Sequence, residues 1–76
     1  MPIPKQPKCK QDARILAERE GQDFYLELTY QKRGTGVRMS FYETYWALPK
    51  LKAKAREAQR AGHRQVTIHF HYLERG

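Results

Sequence analysis

The sequence predicts a small α+β domain: a three-stranded antiparallel meander, one α-helix packed on one sheet face, and a final edge strand, in the order β-β-β-α-β. Three observations carry that prediction. Apolar and polar residues alternate over 24–31, 37–42 and 66–73, the period of a half-buried strand. Between the last two runs, Leu48, Leu51, Ala55 and Ala58 recur at helical spacing. Glycines at 21, 34, 36 and 62 punctuate the segments.

Residues 1–11 read as a flexible basic arm, and residues 12–76 as a single domain. Pro2, Pro4 and Pro7 disfavour regular pairing, while Lys5, Lys8 and Lys10 add charge. Residues 13–19 admit two readings. Asp12 could cap a short helix that Gly21 ends. Alternatively, a Gly21-Gln22 turn pairs Arg19 with Phe24, Ala17 with Leu26 and Ile15 with Leu28, so that register and burial agree. The hairpin accounts for more of the residues, and a strand is the expectation.

Residues 24–31 set Phe24, Leu26, Leu28 and Tyr30 on one face, with Tyr25, Glu27, Thr29 and Gln31 on the other. A turn at Lys32-Arg33-Gly34-Thr35-Gly36 leads to residues 37–42, where Val37, Met39 and Phe41 point inward and Arg38, Ser40 and Tyr42 outward. Pro49 suits a first helical turn. The regular helix therefore starts near Leu48, or follows a looser lead-in from Thr44. Gly62 terminates it. Val66, Ile68, Phe70 and Tyr72 form the core face of the last strand, opposite Thr67, His69, His71 and Leu73. Strand directions followed through the helix make this strand parallel to the first and third, at one edge. The inward residues, from Ile15 and Ala17 through Phe70, form one expected core.

A three-stranded meander followed by a helix, with a basic hairpin, is similar in layout to the arm-binding domains of phage-type integrases. The likeness covers residues 13–61 and includes no specific motif; the strand at 66–73 departs from it. It implies that such a sheet can read DNA.

Charge points to a class of partner. Fifteen Lys+Arg against eight Asp+Glu leave a net charge of +7 on 76 residues, a field that attracts and steers polyanions. The expected function is a small non-catalytic nucleic-acid-binding module, with DNA or RNA as partner. Phosphate contacts fall to Lys32, Arg33 and Arg38 on the hairpin, and to Lys50, Lys54, Arg60 and Arg64 on and after the helix. Base contacts fall to Tyr25, Tyr42, His69 and His71 on the open sheet face, because bases stack on flat rings. The alternative is a protein-binding inhibitor or regulator, of the kind phages and mobile elements encode, docking its cations on an acidic protein surface. The same rings would exclude water equally well against a second copy, and a homodimer is expected.

Other classes are disfavoured. No run approaches the ~18 apolar residues of a membrane span. Cys9 is the single cysteine, so no intramolecular disulfide forms and a cytoplasmic setting is expected. His69 and His71 lie two apart with His63 upstream, but a closed zinc site needs four ligands. No metal site or cofactor is expected. The histidines with Arg38 and a tyrosine would suit metal-free RNA cleavage, yet no activated nucleophile or paired carboxylates accompany them, and no catalytic role is expected.

Overall fold

The computed structural model describes residues 7–74. Helix α1 (Lys10–Arg19) precedes strands β1 (Phe24–Gln31) and β2 (Arg38–Thr44). A 3-10 turn (Tyr45–Ala47), helix α2 (Leu48–Arg60) and strand β3 (Arg64–Tyr72) follow. The strands form an antiparallel sheet in the order β2-β1-β3. The α+β class, the three antiparallel strands, the helix on one face and the edge position of the last strand all match the sequence expectation.

Residues 13–19 do not. They are helical, and their apolar positions explain why. Ala13 and Ala17 stand one turn apart, both fully buried against Tyr25. Arg14 and Glu18 pair on the solvent side at 3.5 Å, the i,i+4 arrangement that supports an exposed helix face. The helix closes on Gly21, at φ +70°. Its N–H bonds the Glu18 carbonyl at 3.2 Å, and the Gln22 N–H bonds the Ala17 carbonyl at 2.9 Å. That double bond set is a Schellman closure, which a positive-φ glycine favours. Gly62, at φ +84°, ends α2 in the same way, through Gln59 and Ala58.

With α1 a helix, the meander that resembled integrase arm-binding domains is absent. The free side of β1 is instead taken by β3, which pairs Leu28 with Ile68 and Leu26 with Phe70. Strand 13–19 would have offered only Ile15 and Ala17 there, with less apolar area to bury. The expected direction of the last strand survives, since β3 runs parallel to residues 38–44, but its expected parallel neighbour does not: it pairs antiparallel with β1.

The core also divides. Leu26, Leu28 and Leu51 are buried between β1 and α2, with Phe24, Phe41, Leu48, Ala55, Val66 and Ile68 around them. Ala13, Ala17 and Tyr25, with Tyr42 and Leu73, make a separate cluster on the other face. The single expected core is therefore two, one per face. Val37 and Phe70, both expected inside, are 53% and 46% exposed; Val37 lies in the turn ahead of β2 and Phe70 near the end of β3. The lead-in expected before Pro49 is the 3-10 turn, and α2 starts at Leu48 with Pro49 in its first turn. The arm expected over residues 1–11 lies outside the described residues as far as residue 6. Of the rest, Pro7 is buried and Lys10 and Gln11 belong to α1.

Candidate nucleic-acid interface

Three chain segments meet at one end of the sheet. The β1–β2 turn is closed by bonds from the Lys32 N–H to the Val37 carbonyl at 2.7 Å and from the Gly36 N–H to the Lys32 carbonyl at 2.9 Å. Gly34 and Gly36 supply the positive φ it needs, +88° and +72°. The turn is tied to the segment after α2: the Arg33 N–H donates to His63 Nδ1 at 2.9 Å, and the His63 ring stacks on Tyr30 at 4.8 Å. The Arg33 side chain crosses Gly62 so closely that a Cβ there would stand 3.2 Å from it. Across the sheet, Gln31 pairs with Arg38 on one side and Arg64 on the other. A bulge at the start of β3, with Gln65 at φ +55°, brings Arg64 to that position.

Lys32, Arg33, Arg38 and Arg64 are thus gathered at one end, together with Arg60 in the last turn of α2. All five are exposed. No carboxylate interrupts residues 31–38 or 59–65; Glu57 precedes Arg60 by three residues on α2.

Lys50 and Lys54 sit elsewhere, on the flank of α2 above β2. Lys54 Nζ lies 3.8 Å from the centre of the Phe41 ring. Both lysines act on Glu43, whose pKa burial raises and their charges partly bring back. They line a shallow hollow of about 280 Å³ with Ser40, Tyr42 and Lys8. These two cations have partners within the fold and are not part of the cationic end.

The ring-bearing face is only half open. Helix α1 covers one part of it, leaving Tyr25 3% exposed, which removes it as a stacking platform. Tyr42 is half-buried, and its hydroxyl donates to Glu27. His71 Nε2 meets Glu27 Oε1 at 2.7 Å and its ring stacks on Tyr25 at 4.9 Å. Burial would raise the Glu27 pKa. The bonds from His71 and Tyr42, with the charges of His71 and His69, outweigh it and hold the carboxyl below its ordinary value. His69 Nε2 lies 2.9 Å from Thr29 Oγ1. Beyond α1 the face opens into a hollow of about 240 Å³ lined by Thr29, Gln31, Arg38, Gln65, Thr67 and His69, with Tyr30 at its side. Of the four expected base contacts, His69 alone lines this hollow, and it does so beside Arg38.

Sequence reasoning missed the opposite end. Phe24 packs there against Tyr45, Phe70 and Tyr72 at centroid distances of 5.8, 5.5 and 5.5 Å, and Tyr45 meets Trp46 at 5.4 Å. Trp46 and Tyr72 are 68% and 72% exposed. Strand alternation put Phe70 and Tyr72 in the core, and nothing in a linear reading placed Tyr45-Trp46 beside them. Among the described residues, no group of three or more His, Cys, Asp or Glu could hold a metal ion, and no helix is long and apolar enough to cross a membrane. Comparison with family models, with curated proteins and with solved structures found no match to this chain.

Proposed function

We propose that the protein is a small nucleic-acid-binding module that acts without catalysis. The observation that supports it is the gathering of Lys32, Arg33, Arg38, Arg60 and Arg64 from three chain segments at one end, with no carboxylate within residues 31–38 or 59–65. Cations so placed release condensed counterions when they meet phosphates. The hollow beside them, with the His69 ring and the Arg38 guanidinium, is where a base or sugar edge would enter. Cys9 is exposed and free, which suits the reducing cytoplasm.

The test is a salt titration of affinity against single-stranded and duplex nucleic acid. Arg33→Ala, Arg38→Ala and Arg64→Ala should each reduce the slope of log affinity on log salt by roughly 0.7–0.9. Lys50→Ala should leave that slope nearly unchanged. His69→Ala should cost affinity on the order of 1–3 kcal/mol with the slope preserved. Absence of binding at low salt, where counterion release is strongest, would overturn the reading.

One observation favours a second reading, an inhibitor or regulator of another protein. The Tyr45-Trp46 pair is exposed at the end remote from the cations, and large exposed rings are enriched at protein interfaces. Its signature is a change in Trp46 fluorescence on adding a partner protein, with no dependence on Arg33 or Arg38.

A further inference from the structure

The two edges of the sheet are not alike. The β2 edge begins with Arg38, contains Glu43 and is flanked by Lys50 and Lys54. Charges of that kind are how sheets discourage strand addition. The β3 edge carries such protection at its start, in Arg64 and the bulge at Gln65, but not along the rest of its length. From Gln65 to Leu73 it contains no Lys, Arg, Asp, Glu or Pro, its nine-residue strand has no partner on its outer side among the described residues, and it displays Phe70 and Tyr72 at 46% and 72% exposure. Backbone donors and acceptors along such an edge are a template for another strand.

From this we infer that the β3 edge pairs with the β3 edge of a second copy, antiparallel about a two-fold axis through His69, to form a continuous six-stranded sheet. The strand's own sequence argues for a copy of itself. Pairing about His69 sets Ile68 opposite Phe70, Val66 opposite Tyr72 and Thr67 opposite His71, so apolar faces apolar and polar faces polar. Registers shifted by one residue would set apolar side chains opposite polar ones. Arg64 precedes the bulge at Gln65 and Glu74 follows the strand, so the same pairing leaves these opposite charges at the same end of the joined strands, twice, by symmetry. Both residues are exposed. Charge complementarity at the two ends and uncharged side chains between them are what a self-complementary edge requires. On the ring-rich face, the surface expected from sequence to carry the dimer, α1 covers the part around Tyr25. The pair carries its two cationic ends at opposite corners of the joined sheet.

Solution mass of the full chain, measured by sedimentation without nucleic acid, tests this independently of any binding activity. The expected mass is twice 9.0 kDa by high micromolar concentration. Tyr72→Lys, at a side chain already in solvent, should raise the dimer dissociation constant by roughly tenfold or more. Arg64→Glu should weaken it as well, and Arg64→Glu with Glu74→Arg should restore it. Circular dichroism confirms that each variant is folded. A monomeric mass throughout the range would overturn the proposal and leave the edge to a strand from a different protein. So would a dimer indifferent to Tyr72→Lys, or one that Arg64→Glu dissociates and the double reversal does not rescue.

Discussion

Each face of this sheet carries a helix, α2 on one and α1 over part of the other, and the two are held by opposite means. On the α2 face, Leu26, Leu28 and Leu51 are sealed with branched and aromatic side chains around them. On the α1 face, two alanines lie on a tyrosine, and the strands below carry Glu27, Thr29, Tyr42, His69 and His71. The first face is held by apolar burial, which is non-directional. The second depends on each polar group finding its partner, because an unmade bond there costs more than a made one contributes. No buried side-chain nitrogen or oxygen is left without a partner among the described residues.

One carboxylate on each face makes the contrast concrete. Glu43 lies opposite Leu26 on the α2 side. Burial drives its pKa up, and Lys50 and Lys54 only partly compensate. Glu27 lies on the α1 side, where donors surround it, and its pKa is lowered. Burial acts on both in the same sense, so the neighbours decide the sign.

The largest expected effect breaks the apolar face. Leu28→Ala should destabilise the fold by about 2–5 kcal/mol, read from the urea midpoint, because the lost contacts leave a cavity against α2. A loss below about 1 kcal/mol would mean that the leucine layer is not what holds the sheet.

A smaller loss should follow from disturbing the polar face. Glu27→Gln keeps the shape but removes the charge-assisted bonds, at about 1–3 kcal/mol. The pH dependence sharpens the comparison. The lowered pKa of Glu27 means its stabilisation is fully present above the ordinary carboxylate value of roughly 4.3 and is lost as pH falls through its folded pKa. Glu43, raised, opposes folding once ionised, and acid relieves that cost. Unfolding followed from pH 6 to pH 3 should therefore show Glu27→Gln flattening the acid loss of stability and Glu43→Gln steepening it. Both variants moving the curve the same way would contradict the assignment.

The smallest effect concerns the edge of the apolar face. Lys54→Met retains the aliphatic contact with Phe41 and removes the cation over its ring. The expected loss is about 0.5–1 kcal/mol, the range for exposed cation–π pairs. A stability equal to the parent's would show that the ammonium contributes nothing there.

Much of this architecture was legible in residue order. The alternation at 24–31 and the stripe of Leu48, Leu51, Ala55 and Ala58 each have one interpretation, because the apolar positions match one period only. Residues 13–19 fit two. Ile15 and Ala17 satisfy a strand, while Ala13 and Ala17 satisfy a helix. The choice rests on whether β1's open side is filled by this segment or by residues 64–72. The cations at 32, 33 and 38 were visible as a hairpin; their union with Arg60 and Arg64 depends on the Arg33–His63 bond and on the bulge at Gln65. Tyr25 shared a face with His69, as alternation requires, but alternation says nothing about a helix lying over one of them and not the other.

The sequence by itself determined the local periods, the glycine stops and the excess of positive charge. Each of these is a property of near neighbours: steric restriction of φ and ψ, side-chain spacing, and the count of ionised groups. The tertiary structure decided which segment fills β1's second side, which half of the ring-bearing face stays open, and which cations keep company. Those outcomes depend on competition between distant segments for the same apolar surface and the same backbone bonds. A chain does not write that competition in its order of residues; it is settled by which pairing buries more area and leaves fewer polar groups unmatched.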